Sequence, residues 1–373
     1  MKTMMARTGL VVTLACVACG DGEGTNDGRQ GGEIERVPVS ENRFKPVELE
    51  ETIDELVRDL EASRRPDNMS LGVVLKELNH FWRPVVVGAN RALGELEIAG
   101  AVQGSAERGT DTEAATAEQL EFVTEQRELD YSGLGIAPFG EALAQPIDEI
   151  VAEGKPVVTI DTDLPASDRQ LYVGTDNTRG GETAGQTLVD LLDGQTGRVI
   201  ILGNTDETWA DGFSRTNAAA DVIRSAGNEV QILHSIWDPA QEIAQAQAAI
   251  EAENATPIVG LLGVFANAHA LATGAQQAGL TTMPKIVAFD FDPATLSFMQ
   301  EGVIHATHVQ RQYYMGYISL YLLYSINTVG LDATKAAMSD HLLRGFHIDT
   351  GLDVIRTEDL AEYNAFVDEL GID

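Results

Sequence analysis

Cysteine and long apolar segments are nearly absent from this chain. Of its 373 residues only two are cysteine, and both, Cys16 and Cys19, lie at the N-terminus. The rest of the chain therefore forms no disulfide and offers no thiol nucleophile or cysteine-based metal site. The apolar stretch at residues 9–17 is too short to span a bilayer. Disulfide-stabilised and thiol-dependent classes of protein are thus excluded.

Basic residues are also scarce. Lys and Arg number 25 against 58 Asp and Glu, and the formal net charge is −33 at pH 7. A polyanion repels phosphate backbones and anionic lipid surfaces, which argues against nucleic-acid binding. Neither a Walker sequence nor a G-x-S-x-G motif occurs. His305 and His308 are spaced to point to opposite faces of a strand, which makes them a poor metal pair. We therefore expect no cofactor and no bound metal.

The first 18 residues, MKTMMARTGLVVTLACVA, have the pattern of an export signal. Lys2 and Arg7 supply a basic start, residues 9–17 form an apolar core, and small residues precede Cys19. The run V-A-C-G resembles a bacterial lipoprotein signal, in which Cys19 becomes the lipidated first residue of the mature protein. Cys16 suits this role less well, because the polar mature sequence starts only after Cys19. A cleaved signal without lipidation is the alternative.

Two further segments precede the main body of the chain. Residues 19–45 are rich in glycine and polar side chains, which is typical of a flexible tether. An extra N-terminal helix is predicted within residues 46–67, because Pro46 suits a first turn and five apolar residues share one face: Leu49, Ile53, Leu56, Val57 and Leu60. The sequence leaves open whether this helix packs on the main body or on a partner.

From residue 68 onward, apolar β-branched runs alternate with helical patterns. The predicted strands lie near 71–75, 97–102, 132–136 and 156–160 and, after a boundary at 171–178, near 198–202, 229–235, 257–263 and 285–289. Alternating βα units imply a parallel sheet covered by helices. Two such runs predict an α/β protein with two similar, doubly wound parallel-sheet lobes. A strand near 303–309, a helix near 311–328 and a strand–helix pair within 343–369 remain to be shared between the lobes.

Carboxylates follow two of the predicted strands. Asp161 and Asp163 come after one apolar run, and Asp290 and Asp292 come after another. A carboxylate at the carboxyl end of a parallel strand lies where open α/β folds bind small molecules, and it can accept hydrogen bonds from two vicinal hydroxyls. Asp292 precedes a proline and is interpreted as a helix cap. We therefore favour Asp161 and Asp290 as binding residues and keep Asp163 as an undecided candidate.

Other polar residues follow strands in the second half of the chain. Arg215 opens a predicted helix, and a guanidinium can donate to several hydroxyls at once. Asn267 and Gln310 are amides, which donate and accept simultaneously, as a hydroxyl requires. The alternative interpretations are a surface arginine and ordinary cap or turn residues.

Aromatic residues stand in three loops that follow strands. The stretch LKELNHFWRP carries Asn79, Phe81 and Trp82 after the first strand of the main body, where flat rings suit the binding of a neutral solute. Phe81 and Trp82 could instead be the apolar start of a helix. Trp209 and Trp237 also lie in loops after strands and could line a cleft, although loop aromatics often only pack.

Taken together, these motifs resemble the type I periplasmic sugar-binding proteins, a family similar to ribose- and galactose-binding proteins and to the effector domains of lac-repressor-like regulators. The resemblance covers about residues 68–357. It rests on six stretches in the family's order: LNHFWRPVVVGA, VVTIDTDLP, YVGTDNTRGGETAG, VAFDFDP, HATHVQRQYYMG and HIDTGLDVI.

The resemblance implies two lobes that are joined by a three-strand hinge. Chain crossings near 174–177, 309–312 and 342–346 would give one lobe of residues 68–175 plus 311–342 and a second lobe of residues 176–310 plus 343–373. The matching positions imply ligand-binding roles for a set of eight residues: Asn79, Phe81, Trp82, Asp161, Arg215, Asn267, Asp290 and Gln310. His80 and Thr162 depart from the family pattern, and Thr162 argues against naming ribose.

The implied function is that of a monomeric solute-binding lipoprotein in the periplasm or on the cell surface. It would hold a monosaccharide or related polyol in a cleft between the lobes and deliver it to the permease of an ABC importer. A sensory protein that presents a sugar or a sugar-like signal to a membrane receptor would have the same fold. A secreted carbohydrate-active hydrolase is a further alternative, because paired carboxylates can act as acid and base.

Overall fold

The computed structural model describes residues 33–64, 68–78, 81–106 and 112–372. The predicted signal peptide, with Cys16 and Cys19, lies outside the described residues. So do residues 19–32 of the predicted tether and the loop residues Asn79 and His80.

The chain divides into two compact units. The first unit contains the described residues of Met1–Gly174, Gln312–Thr350 and Val367–Asp373. The second unit contains Thr175–Arg311 and Gly351–Phe366. Each unit has its own sheet and its own helices, as the repeated βα pattern predicts.

A seven-stranded sheet forms the centre of the first unit. Its strands are β1 (Ser70–Glu77), β2 (Ala99–Ser105), β3 (Gly133–Ile136), β4 (Val157–Ile160), β5 (Leu171–Gly174), β11 (Leu342–Leu343) and β12 (His347–Asp349). Their order is β11-β12-β5-β4-β3-β1-β2, and every pair is parallel except β11 with β12. All four residues of β3, of β4 and of β5 are buried, as expected of parallel strands with helices on both faces.

Six helices belong to the first unit: α1 (Val47–Glu61), α2 (Arg83–Glu95), α3 (Thr112–Glu128), α4 (Ala144–Ala152), α10 (Gln312–Val329) and α11 (Leu331–Ala337). Helices α2 and α10 pack backbone against backbone. A Cβ atom added to Gly88 would lie 2.0 Å from the carbonyl oxygen of Tyr313, and one added to Gly316 would lie 2.0 Å from that of Val85. Within the described part of the chain, none of the helices combines the length and apolar character needed to cross a bilayer.

The second unit repeats this plan with six strands: β6 (Arg198–Gly203), β7 (Glu229–His234), β8 (Ile258–Gly263), β9 (Lys285–Phe289), β10 (Ala306–Val309) and β13 (Asp353–Arg356). Their order is β13-β10-β9-β8-β6-β7, and only β13 is antiparallel to its neighbour. The helices are α5 (Asn177–Leu192), α6 (Ala210–Ser225), α7 (Pro239–Glu251), α8 (Ala268–Gln277) and α9 (Pro293–Gln300), and α12 (Leu360–Glu369) begins here.

Aspartate side chains cap the N-termini of several helices in the second unit. The Asp292 carboxylate accepts hydrogen bonds from the backbone N–H groups of Ala294 and Thr295, with Pro293 in the first turn of α9. The predicted role of Asp292 as a helix cap is thereby confirmed.

The structure differs from the sequence prediction where short strands are concerned. Residues 171–174, predicted as a boundary, form the buried strand β5, because four residues suffice where both neighbours supply hydrogen bonds. Residues 343–350, assigned by the sequence to the second lobe, belong to the first unit, because His347–Asp349 pair with β5. After β12 the chain crosses to the second unit for the second time at Gly351, and it returns to the first unit at Val367.

The N-terminal segment 33–61 is an integral part of the first unit. The tether prediction is wrong for residues 33–45, because Ile34, Val39 and Phe44 are buried despite the polar composition around them. The prediction of α1 is confirmed, and its apolar face packs against α10 and α11 rather than being left for a partner.

A partly buried charge network around Arg36 holds this segment on the first unit. Arg36 forms an ion pair with Glu50 at 2.6 Å and another with Asp54, and its Nε donates to the Tyr317 hydroxyl at 2.9 Å. The same hydroxyl donates to Glu95 at 2.5 Å. Buried charges are tolerated only when they are paired in this way. Three separate parts of the chain, namely the N-terminal segment, α2 and α10, therefore depend on one another.

Replacing Arg36 tests whether the segment is structural. We expect Arg36→Met to lower the free energy of unfolding by about 2–4 kcal/mol, because it leaves the buried Glu50 carboxylate without its cation. Urea unfolding measures the change. Arg58→Met is the matched control: Arg58 pairs with Glu55 on the exposed side of α1 and should matter by less than about 1 kcal/mol. Equal effects of the two substitutions would contradict a structural role for the segment.

Candidate functional site

Arg215 is the centre of a buried polar cluster in the second unit. It lies on α6, shortly after the carboxyl end of β6, and only 5% of it is exposed. Its Nε donates to Asn177 Oδ1 at 2.9 Å, its Nη1 to the carbonyl oxygen of Val264 at 3.0 Å, and its Nη2 to Gln310 Oε1 at 2.9 Å. The guanidinium carbon also lies 4.0 Å from the centre of the Phe289 ring.

Close packing of α5 on α6 makes this arrangement possible. A Cβ atom on Gly181 would lie 2.1 Å from the carbonyl oxygen of Arg215, so only glycine allows the two backbones to approach this closely. Asn177, at the start of α5, is thereby brought within reach of the guanidinium. Since a guanidinium is always charged and cannot accept a hydrogen bond, acceptors on three sides hold it in one orientation.

Asp290 and Gln310 extend the cluster. Asp290 follows β9 directly and is 6% exposed, and Gln310 Nε2 donates to its Oδ1 at 2.9 Å. Gln310 thus links Arg215 to Asp290 through the two ends of one amide. The sequence predicts both residues separately, and the structure brings them into one hydrogen-bonded chain.

Asn267 lies after β8, in the same unit, and is 3% exposed. Its Nδ2 is 3.4 Å from the Ser235 hydroxyl, and its Oδ1 has no hydrogen-bond partner among the residues that the structure describes. A buried acceptor without a donor costs about 1–3 kcal/mol. A ligand hydroxyl that donates to this oxygen would remove that cost.

Three aromatic rings pack together near this polar cluster. Trp209 and Phe265 are nearly parallel with ring centres 4.9 Å apart, and Trp237 lies 5.1 Å from Phe265 and 5.7 Å from Trp209. Trp237 is 43% exposed, so part of its surface is open to solvent. The loops after β6, β7 and β8 each supply one ring, and the parallel strands bring these loops to the same edge of the sheet.

The predicted residues of the first unit fall into two groups. Phe81 and Trp82 precede α2 and pack edge to face with ring centres 5.0 Å apart. Trp82 is only 3% exposed, whereas Phe81 is half-buried. Of the two rings, Phe81 has more surface to offer to a ligand. Asn79, between β1 and these rings in the chain, lies outside the described residues.

Asp161 and Asp163 have different surroundings after β4. The Thr162 hydroxyl donates to Asp161 Oδ2 at 3.1 Å. Asp163 instead accepts two hydrogen bonds from Arg169, Nε to Oδ1 and Nη2 to Oδ2, each at 2.7 Å. The side chains of Arg169 and Asp163 in this bidentate ion pair are only 10% and 11% exposed, which favours a structural role for Asp163. Its assignment to the binding site stays a prediction.

Several side chains near the carboxyl ends of the strands were not identified as site residues from the sequence. Lys76, near the end of β1, donates from Nζ to the Thr162 hydroxyl at 2.7 Å and lies over the Phe139 ring. A lysine within a buried apolar strand is the sequence signal that could have identified it. Asn177 and Phe265 carry no comparable signal, because only the packing of α5, α6 and β8 brings them beside Arg215.

Metal chemistry has no obvious location in the described residues. No group of three or more His, Cys, Asp or Glu side chains among them is arranged to hold an ion. The polar side chains of the cluster around Arg215 are instead amides, one guanidinium and one carboxylate, which match neutral hydroxyl groups.

Two α/β units with polar and aromatic side chains gathered at the carboxyl edges of their sheets define a two-lobed solute-binding protein. The chain belongs to the periplasmic binding protein family: the family model described as periplasmic binding protein domain matches residues 71–330. The fold class and the family inferred from the sequence are therefore confirmed. The family implies an extracytoplasmic location.

Solved structures support this assignment. The chain is similar to GanP, a glucose-galactose binding protein from Geobacillus stearothermophilus, with 27% identity and a TM-score of 0.65 over 79% of this chain and 99% of that one. AraP, an arabinose binding protein from the same organism, has 22% identity and a TM-score of 0.66 over 80% and 99% of the two chains. XylFII in the XylFII–LytSN complex has 23% identity and a TM-score of 0.61 over 79% and 100%. No curated protein matches the sequence.

His308 makes the second unit sensitive to acid. It lies on β10, its Nδ1 donates to the carbonyl oxygen of Ala288 at 3.0 Å, and its ring is fully buried. Burial lowers the pKa of His308 to about 4. Between that value and the ordinary histidine pKa of about 6.5, the unfolded chain binds a proton that the folded chain does not, so stability falls as the pH falls.

We expect His308 alone to lower the free energy of unfolding by about 2 kcal/mol between pH 7 and pH 5. Urea unfolding at both pH values measures this loss, and the loss should shrink by about that amount in His308→Gln. His234→Gln, which changes an exposed histidine on β7, serves as the control and should keep the pH dependence. The same loss in His308→Gln as in the wild type would contradict the assignment.

Proposed function

We propose that the chain binds a neutral monosaccharide and delivers it to an ABC importer. The observation that carries this proposal is the buried chain Asn177–Arg215–Gln310–Asp290 at the carboxyl edge of the second unit's sheet. It combines a fixed set of donors with carboxylate and amide acceptors. Vicinal hydroxyls, each of which donates and accepts, are the natural complement of such a set.

The charges of the cluster favour a neutral ligand. Within it the positive charge of Arg215 is offset by the carboxylate of Asp290, so no net charge is left for a ligand to neutralise. The hydrogen bonds among these side chains also hold them in place before a ligand arrives, which reduces the entropy lost on binding. Micromolar affinity corresponds to about −8 kcal/mol, and one unpaired buried polar group costs about 1–3 kcal/mol. The polar cluster should therefore decide which hydroxyl stereochemistry is accepted.

Aromatic surface completes the proposed site. A sugar ring has apolar C–H faces as well as polar edges, and flat side chains cover such faces well. We assign this role to Trp237 in the second unit and to Phe81 and Trp82 in the first. Asn79, Asp161 and Asp163 are the proposed polar contacts of the first unit, and Asn267 is a further one in the second. GanP, at 27% identity, is a glucose-galactose binding protein, which supports a hexose or a related monosaccharide as ligand.

The same site could serve sensing instead of import. XylFII occurs in a complex with a second protein, LytSN, so this fold can work through a partner chain. For either role we propose that the mature protein is a monomer anchored through a lipid on Cys19. Globomycin treatment of producing cells, with mass measurement of the mature N-terminus, tests the anchor. Importer genes beside this one would favour transport, whereas a neighbouring kinase gene would favour sensing.

Thermal unfolding in the presence of sugars tests the binding proposal. We expect at least one of D-galactose, D-glucose, L-arabinose and D-xylose to raise the melting temperature by several degrees, since a ligand at about 100 times its Kd adds about 2.7 kcal/mol of stability. Asp290→Asn and Arg215→Lys should each weaken binding at least about tenfold, because they remove a charge or the guanidinium fork.

Arg224→Lys is the matched control for Arg215→Lys. It changes an exposed arginine on the same helix, which pairs with the exposed Asp221, and should leave the ligand-induced shift unchanged. Hydrolysis of a glycoside by the purified chain, or no shift with any sugar of the panel, would contradict the proposal.

The exposed ring of Trp237 supplies a separate test. We expect Trp237→Ala to weaken sugar binding about tenfold, because it removes apolar contact worth about 1–2 kcal/mol. Trp237→Phe, which keeps a flat ring, should lose less. Titration calorimetry with the best sugar of the panel measures both. The neighbouring exposed Ile236 gives the control Ile236→Ala, and an equal loss in this variant would argue against a specific role for the ring.

A further inference from the structure

The two aspartates favoured as ligand contacts share an unusual backbone conformation. Asp161 has φ 63° and Asp290 has φ 64°, each directly after the last residue of a strand. Residues other than glycine rarely adopt this left-handed backbone conformation, and they keep it only when their surroundings hold them there.

In the first unit, β5 holds Asp161 from both sides of its backbone. The Asp161 N–H donates to the carbonyl oxygen of Val173 at 2.8 Å, and the Tyr172 hydroxyl donates to the carbonyl oxygen of Asp161 at 2.8 Å. Tyr172 is itself fixed. Its ring lies 4.5 Å from the His347 ring, and a Cβ atom on Gly174 would come within 2.4 Å of its hydroxyl oxygen.

The second unit repeats the arrangement with β10. The Asp290 N–H donates to the carbonyl oxygen of His308 at 2.8 Å, and the Thr307 hydroxyl donates to the carbonyl oxygen of Asp290. Thr307 is completely buried. In both units the hydroxyl comes from one residue of the next strand and the accepting carbonyl from the residue after it. The two arrangements therefore have the same register, although a tyrosine does in one what a threonine does in the other.

We propose that Tyr172 and Thr307 are positioning residues, which hold Asp161 and Asp290 in the left-handed conformation that directs their carboxylates to the ligand. This inference rests on the proposed function, which makes the two aspartates sugar contacts. Neither hydroxyl needs to touch the sugar. Each one acts through the backbone carbonyl of its aspartate, and it supplements the hydrogen bond that the aspartate N–H donates to the next strand.

Sugar affinity depends on how often each aspartate adopts its binding conformation. If the aspartate adopts its binding conformation in only a fraction of the molecules, the apparent affinity falls by that fraction. A residue that only stabilises the fold would change the melting temperature and leave the affinity, measured far below that temperature, unaltered.

Substitutions that remove one hydroxyl separate these possibilities. We expect Thr307→Val and Tyr172→Phe each to weaken the binding of the best sugar among D-galactose, D-glucose, L-arabinose and D-xylose by about tenfold in titration calorimetry at low temperature. Thr307→Ser restores the hydroxyl and should recover most of the affinity. The matched controls are Thr334→Val and Tyr321→Phe, which remove buried hydroxyls that bond to Ser325 and Glu95. These controls should lower the melting temperature without changing the affinity.

The ligand-free crystal structure of Thr307→Val gives an answer that does not depend on any sugar. The proposal predicts that Asp290 leaves the left-handed region in this variant. Retention of φ near its wild-type value would overturn the proposal, as would wild-type affinity in both Thr307→Val and Tyr172→Phe. Failure of the wild-type chain to bind any sugar would instead count against the proposed function, and the crystal structure would still decide whether Thr307 positions Asp290.

Discussion

The second unit depends on the need of one buried guanidinium for hydrogen-bond acceptors. Arg215 cannot lose its proton, and burying it without partners would be prohibitive. Its acceptors come from the start of α5, the loop after β8 and the end of β10, which are distant in sequence. Satisfying Arg215 therefore fixes how these elements meet. The same hydrogen bonds prepare the side chains that we assign to sugar recognition, so the stability of the edge and its specificity have one origin.

The first unit also has paired charges at the carboxyl edge of its sheet, but they come from different residue types. Arg169 and Asp163 form a largely buried ion pair after β4, while Lys76 and Thr162 lie beside Asp161. In the N-terminal segment, Arg36 forms the centre of a second charge network, which includes Glu50 on α1 and Tyr317 on α10. The partners of Arg36 come from α1 and α10, whereas Asp163 and Arg169 are six residues apart in one loop. The Arg36 network therefore joins separate parts of the chain, and the Asp163–Arg169 pair acts within the loop that follows β4.

Much of the fold could be predicted from the sequence, because buried parallel strands are continuous apolar runs and the helices between them are amphipathic. The short strand β5 escaped prediction, because a few residues carry little periodic signal. The packing of residues 33–45 also escaped, because their composition is that of a linker and the burial of Arg36 depends on partners far away in the chain. For the site, strand ends pointed to Asp290 and Gln310, but nothing local shows that Asn177 joins them or that Arg169 engages Asp163.

A crystal structure of the chain with a bound monosaccharide tests the central claim most directly. Our account predicts that the sugar lies at the carboxyl edge of the second unit's sheet, with hydroxyl oxygens within about 3 Å of the Arg215 guanidinium and the Asp290 carboxylate. It also predicts that Arg215 keeps its hydrogen bond to Asn177 when the sugar is bound. A sugar bound elsewhere, or one that touches neither Arg215 nor Asp290, would contradict the account.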